Sequence, residues 1–213
     1  PAPSSGPEGH LLPAGEKGKQ AVAASAPDSP PPSCAIFVRV NPLESDDLEK
    51  DLGVVTSGLP DGLVLPKAEG AASVRALSVR VSKMAGVTLP ILPIATETAA
   101  AIFQLGTYAQ VGPEICGLTW GAEDLSADLG AETNRLESGT YADPYRLARS
   151  LLLFAASAAQ VDAIDTVFTA FRDEAALRTE CIAARRDGFT GKMAIHPAQV
   201  PVINEVFSPS PEA

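Results

Sequence analysis

Short apolar runs recur along this chain at a nearly constant spacing, and that spacing limits the possible architecture more than any other feature. "AIFVRV" from 35, "GLVLP" from 62, "ILPIAT" from 91 and "ICGLTW" from 115 begin 27, 29 and 24 residues apart. Each step has room for one strand and one crossover helix. Two further runs, "AIDTVF" from 163 and "MAIHP" around 194, bring the expected strands to six. The runs are almost continuously apolar, without the alternation of a sheet wetted on one face, so both faces are expected to be covered by helices. Between them, Leu77, Val81 and Met84, then Ala148, Leu152, Ala155 and Ala159, then Leu177, Cys181 and Ala184 fall at helical spacing on one face. The expected class is α/β with a parallel sheet, either open and doubly wound or closed into a barrel.

The step from 115 to 163 is longer, and "GAETNRLESGTYADP", rich in turn-forming residues, reads as an insertion on the functional rim. The chain of 213 residues is 46% hydrophobic, enough for the core of one α/β domain. A net charge of -10 provides no basic field for nucleic acid or anionic lipid, so neither a nucleic-acid nor a membrane partner is expected. Three widely separated cysteines suit reduced thiols and a cytoplasmic location. No apolar stretch approaches the roughly 20 residues of a membrane span, and no charged-then-apolar leader is visible. At the start, "PAPSSGPEG" and "SAPDSPPPS" are Pro/Ser-rich flanks expected not to pack, around one weak helix, "GEKGKQAVAAS".

Parallel α/β folds place ligands at the C-terminal edge of the sheet. Three expected strand ends carry charge there: Arg39 in "VRVN", Glu97 in "ATET" and Asp124 in "GAEDL". Glu97 and Asp124 lie 27 residues apart, about one strand-helix unit, so they are expected on neighbouring strands, converging on one cavity. Two carboxylates with little nitrogen or sulfur nearby suit Mg²⁺, which favours octahedral oxygen coordination at ~2.1 Å and leaves positions for water or a chelating 2-keto acid. Each residue also has a plainer reading. Glu97 and Asp124 both stand where a carboxylate offsets a helix dipole. Arg39 within a strand needs a partner if buried, and an ion pair would supply one. Lys67 and Glu69 in "LPKAE" read as a strand-end charge pair, His196-Pro197 as the end of a strand and the start of a helix, and His10 lies in the polar flank with no role.

"FVRVNPL", "GLVLPKAEG", "LPIATETAAAIFQLG", "GLTWGAEDLSADLG" and "GFTGKMAIHPAQVPVINEVFSPS", in that order, resemble the citrate lyase β-subunit-like family of CoA-ester lyases, from about residue 35 to the C-terminus. The resemblance implies a pyruvate-enolate (β/α)8 TIM barrel that assembles as a homotrimer. It implies domains at 1–34 (flanks), 35–207 (barrel) and 208–213 (the start of a C-terminal extension). For the chemistry it implies Mg²⁺ held by Glu97 and Asp124, Arg39 stabilising a developing oxyanion, and Gly121, Ala122 and Glu123 lining the substrate. His196 and Pro197 would help shape the entrance for CoA. The reaction implied is retro-Claisen cleavage of a β-hydroxyacyl-CoA, such as malyl-, citramalyl- or citryl-CoA, to acetyl-CoA and a 2-keto acid. A pyruvate-type aldolase or a malyl-CoA thioesterase on the same metal, and a non-catalytic keto-acid-binding homologue, are the competing readings.

The chain also departs from that pattern. The family's opening strand, like "LFVPG", and its second, ending in "DLEDAV", have no counterpart, and "LLPAGEKGKQAVAA" resembles only the helix that follows. The acidic C-terminal segment that reaches a neighbouring subunit's site is likewise missing, so no general acid or base is assigned. A barrel lacking two neighbouring strands would expose unpaired edges. The expectation is that these residues are part of a longer polypeptide, which an intact mass of 22.0 kDa would contradict.

Overall fold

The expected strands form at the first five apolar runs: β1 (Phe37–Arg39), β2 (Gly62–Leu65), β3 (Ile91–Pro93), β4 (Gly117–Thr119) and β5 (Asp162–Asp165). The computed structural model describes residues 34–58 and 60–208, all but Cys34 within the unit Ala35–Ala213. The flank helix expected at 15–25 and the tail from 209 lie outside the described residues. The sixth strand lies earlier than the "MAIHP" run: β6 is Gly191–Lys192. Met193 N–H still donates to Asp165 O (2.9 Å), but the Ile195 N–H then turns to the Gln199 side chain (2.9 Å). His196 Nδ1 accepts from Ala198 N–H (3.2 Å) and opens the short 3-10 turn Pro197–Gln199, so the run cannot continue a ladder.

All strand pairs are parallel. One sheet runs β1-β2-β3 and the other β4-β5-β6, and isolated parallel bridges Ile91↔Ile115 and Ile94↔Thr119 connect β3 with β4. The six strands thus follow one another in chain order, and among the described residues no pairing closes β6 onto β1. The expected eight-stranded ring is not formed by these six alone.

Between strands lie α1 (Leu48–Gly58), α2 (Ala71–Ala85), α3 (Ala99–Ile102), α4 (Glu123–Asp128), α5 (Asp143–Ala159) and α6 (Glu174–Asp187), with α7 (Val200–Phe207) at the end. The helices stop where chemistry requires it: α2 at Gly86 (φ 68°) and α6 at Gly188 (φ 115°), both left-handed. Along each strand, alternate residues face the helices. Leu63, Leu65, Ile91, Leu118 and Ala163 join Leu77, Val81, Leu152 and Ala155 in one buried layer. Burying each leucine there contributes about 1.5–3 kcal/mol. Met84, expected in that layer, is exposed. A second cluster, Phe168, Leu177, Cys181, Val202, Ile203 and Val206, holds α6 and α7 together.

The opposite, inner face carries Val64 and Leu92 in register, then Thr119, Ile164 and Gly191. Arg39 pairs in register with Val64 and so stands on this inner face, but it is exposed. That corrects the expectation of a buried guanidinium needing an ion pair: among the described residues Arg39 is exposed and has none. No described helix is long and apolar enough to cross a membrane.

Candidate functional site

The ends of β3 and β4 are stapled together. Ala95 N–H donates to Thr119 O (2.8 Å), and the Thr96 hydroxyl accepts from Gly121 N–H (3.1 Å) and donates to Gly121 O (3.4 Å). This puts Glu97 over Gly121. A Cβ at Gly121 would lie 2.8 Å from Glu97 Cγ, so the close approach requires glycine. Glu97 is 6% exposed, and its Oε2 accepts Lys67 N–H at 2.5 Å. Lys67 adopts φ 49°, the left-handed region that a side-chain-bearing residue rarely occupies, and this turn aims its N–H at Glu97.

Helix capping uses other groups. Thr98 is the N-cap of α3, its hydroxyl accepting from Ala101 N–H (3.1 Å), and Asp128 takes the Ala99 N–H (2.7 Å). At α4 the N-cap is Ala122, with no side-chain cap, and Asp124 sits in the first turn with its half-exposed carboxylate 3.9 Å from Lys67 Nζ. Burial pushes the Glu97 carboxyl up to about 7; the nearby Asp124 carboxylate adds to the rise, while the Lys67 N–H opposes it. A dry carboxylate beside a second one, with one ammonium at the edge of ion-pair distance, is short of positive charge.

That shortage is the observation that fits a divalent cation to these residues. Among the described residues, no third His, Cys, Asp or Glu completes a cluster. A pair of carboxylates suits a hard cation that keeps water or substrate oxygens on its other positions. Gly121, bare of a side chain, lets the Glu97 carboxylate lie against the turn that follows β4.

The remaining expected residues divide into two places. Gly121 is part of the Glu97 seat, Ala122 is buried behind it, and Glu123 accepts from Asn134 Nδ2 (2.7 Å), tying the 130–142 insertion to the first turn of α4. His196 and Pro197 make none of these contacts. His196 stacks on Phe171 (centroids 4.6 Å apart), and these two rings, with Arg172, Glu174, Leu177 and Ala198, line a pocket of about 400 Å³. The expected Lys67–Glu69 charge pair does not form. Lys67 turns to Asp124, and Glu69 Oε1 accepts the Thr98 hydroxyl (2.7 Å), because the left-handed turn at Lys67 sends the two side chains to different neighbours. Sequence reasoning missed Lys67 and Thr96 as members of this site. The only available signal was their place immediately after strand runs.

The HpcH/HpaI aldolase/citrate lyase family pattern matches residues 19–197. A citrate lyase subunit beta-like protein of Deinococcus radiodurans is 37% identical over 179 residues, which cover 84% of this chain and 60% of that protein. A (3S)-malyl-CoA thioesterase of Cereibacter sphaeroides is 36% identical over 181 residues (82% and 57%), and a mitochondrial citramalyl-CoA lyase of Mus musculus 33% over 190 residues (82% and 54%). The chain spans roughly 54–60% of the length of these curated relatives. Among solved structures, Mycobacterium tuberculosis CitE in complex with magnesium and acetoacetate superposes with a TM-score of 0.72 at 34% identity, covering 82% of this chain and 68% of that one. The same protein with magnesium, acetoacetate and coenzyme A gives 0.69 at 34%, covering 83% and 62%.

Proposed function

The chain belongs to the HpcH/HpaI aldolase/citrate lyase family, and on that premise we propose that it is a Mg²⁺-dependent carbon–carbon lyase of β-hydroxyacyl-CoA esters. The observation that carries this reading is the buried Glu97 carboxylate, raised to about 7 and set beside Asp124 in the first turn of the helix that follows the neighbouring strand. The six parallel strands are then part of a (β/α)8 barrel, and the protein works as a cytoplasmic homotrimer. CitE of Mycobacterium tuberculosis, solved with magnesium, acetoacetate and coenzyme A, supports the choice of ligands.

In this reading Glu97 and Asp124 hold the cation. When bound, it supplies Lewis-acid polarisation of a substrate oxygen. The Lys67 N–H fixes the orientation of the Glu97 carboxylate, and the Lys67 ammonium steadies Asp124. Arg39, on the inner face and without a competing ion pair among the described residues, offers its guanidinium to the oxyanion formed during cleavage. Gly121, Ala122 and Glu123 border the keto-acid portion. His196, stacked on Phe171, and the adjoining Pro197 form part of the CoA entrance. In the cleavage direction the substrate hydroxyl loses its proton, the carbon–carbon electron pair passes to the thioester α-carbon, and that carbon is then protonated to give acetyl-CoA and a 2-keto acid.

A second reading is supported by the thioesterase relative at 36% identity: hydrolysis of malyl-CoA at the same residues. Incubation with malyl- and citramalyl-CoA and Mg²⁺, with products identified by mass spectrometry, separates the two. Acetyl-CoA plus keto acid supports the lyase; free CoA plus the hydroxy acid supports the thioesterase. Turnover of free hydroxy-keto acids alone would indicate an aldolase, and keto-acid binding without any turnover a non-catalytic homologue; either result would overturn the lyase reading.

A further inference from the structure

Behind the candidate site, on the helix side of the sheet, lies a buried charge cluster that the proposed reaction does not use. Lys192 at the end of β6 has a side chain at 0% exposure, held between Asp165 Oδ2 (2.8 Å) and Glu180 Oε2 (3.4 Å). Asp165, the last residue of β5, spends its other oxygen on Trp120 Nε1–H (2.8 Å) and Arg149 Nε–H (3.4 Å). Glu180 Oε1 accepts from Arg135 (2.7 Å), whose guanidinium lies over the Tyr141 ring at 3.9 Å, and Tyr141 meets Trp120 edge-on at 5.1 Å. Every charge here has an opposite partner, as burial of ions requires, so the cluster holds its members in one arrangement.

Trp120 joins this cluster to the candidate site. It directly precedes Gly121, whose N–H and C=O both engage Thr96 and whose Cα lies against Glu97. With no room for even a Cβ between Gly121 and Glu97, a shift of a few tenths of an ångström in the Trp120 peptide displaces the carboxylate or its seat. From Gly121 the chain runs through Ala122 into α4, which carries Asp124.

We infer that Trp120 is a positioning residue for the two carboxylates, its indole N–H anchored by Asp165 and Lys192 so that the register of Gly121 against Glu97 and Asp124 is set from behind the sheet. The inference rests on the reading of Glu97 and Asp124 as cation ligands and adds to it the residues that hold them in place. Groups that orient metal ligands without touching the metal are typically worth about 10–100-fold in affinity.

Trp120→Phe removes the indole donor while keeping an aromatic ring in the core. Two quantities are measured: Mg²⁺ binding by calorimetry with pyruvate present, and amide hydrogen exchange of Gly121 and Lys67 by NMR on the metal-free protein. The expected result is about tenfold weaker Mg²⁺ binding and about tenfold faster exchange at both amides. Val202→Ala, in the α6–α7 cluster, serves as the control for simple destabilisation; it should lower Tm while leaving Mg²⁺ affinity within about twofold of wild type. Thr96→Val, which removes the other clamp on Gly121, keeps the test open if Trp120→Phe does not fold, and should weaken Mg²⁺ binding by at least about threefold. The inference is overturned if Trp120→Phe lowers Tm without changing affinity or exchange, if Val202→Ala weakens binding equally, or if Thr96→Val has no effect. Should wild-type protein bind no Mg²⁺, the metal reading fails separately, and unchanged exchange at Gly121 and Lys67 would then overturn the positioning as well.

Discussion

Two acidic strand ends, on neighbouring ladders of one parallel array, have opposite surroundings. Asp165 ends β5 pointing toward the helices and is met by Lys192, Arg149 and the Trp120 indole. Glu97 follows β3 at the rim and is met by one backbone N–H and by a second carboxylate. Both are nearly dry, but only one has its charge balanced. A buried acid with matched cations is structural: removing its partner costs stability. A buried acid left short of positive charge costs stability as it stands, and binding a cation recovers that cost.

The sharpest way to break the comparison is Lys192→Met. It leaves Asp165 and Glu180 without their shared ammonium and should cost about 3–5 kcal/mol in denaturant unfolding. A loss below about 1 kcal/mol would mean that the cluster is not the matched, dry network described. On the other side, Glu97→Gln should weaken Mg²⁺ binding by about 100-fold or more in calorimetry, because one of only two carboxylates loses its charge. Metal-free Glu97→Gln should at the same time be no less stable than wild type above pH 7, since it deletes a charge that burial disfavours.

The same acid has a pH signature. The ordinary Glu value is 4.5 and the folded value about 7, so the folded state binds this proton more tightly than the unfolded one. The contribution to stability is fully present below 4.5 and is lost as pH rises through about 7, a decline of at most roughly 3 kcal/mol in the metal-free protein. Tm of metal-free wild type should fall across that window, with the decline absent in Glu97→Gln. Protons and Mg²⁺ compete for the carboxylate, so affinity should drop about tenfold per unit below pH 7. A smaller effect is expected at Gly121→Ala: the new Cβ, 2.8 Å from Glu97 Cγ, should cost about 1–3 kcal/mol and weaken Mg²⁺ binding severalfold. Smallest is Lys67→Met. Its half-exposed ammonium sits 3.9 Å from Asp124, and its loss should change metal-free stability by less than about 1 kcal/mol in a thermal melt.

Five of the six strands were legible from apolar runs such as "GLVLP", because a strand covered on both faces must be apolar throughout. The sixth was displaced because Gln199 and His196 draw backbone N–H groups away from the ladder, a competition invisible in the apolar pattern. Arg39, Glu97 and Asp124 were legible as charges at strand ends. Their surroundings were not: Arg39 reaches water, Lys67 pairs with Asp124 rather than Glu69, and Thr98 takes the capping role that Glu97 could have filled.

What the sequence determined alone was the period of strand and helix, the family, and which strand ends carry acids, since these depend on residue type and on spacing along one dimension. Which acid is balanced and which is left exposed to a cation was decided only by tertiary structure. Alternation turns Asp165 toward the helices, whereas the left-handed turn at Lys67 and the bare Cα of Gly121 close around Glu97. The partners of Asp165, 16 to 45 residues away in the chain, come within 3.5 Å only once the helices pack, and no linear pattern specifies that distance.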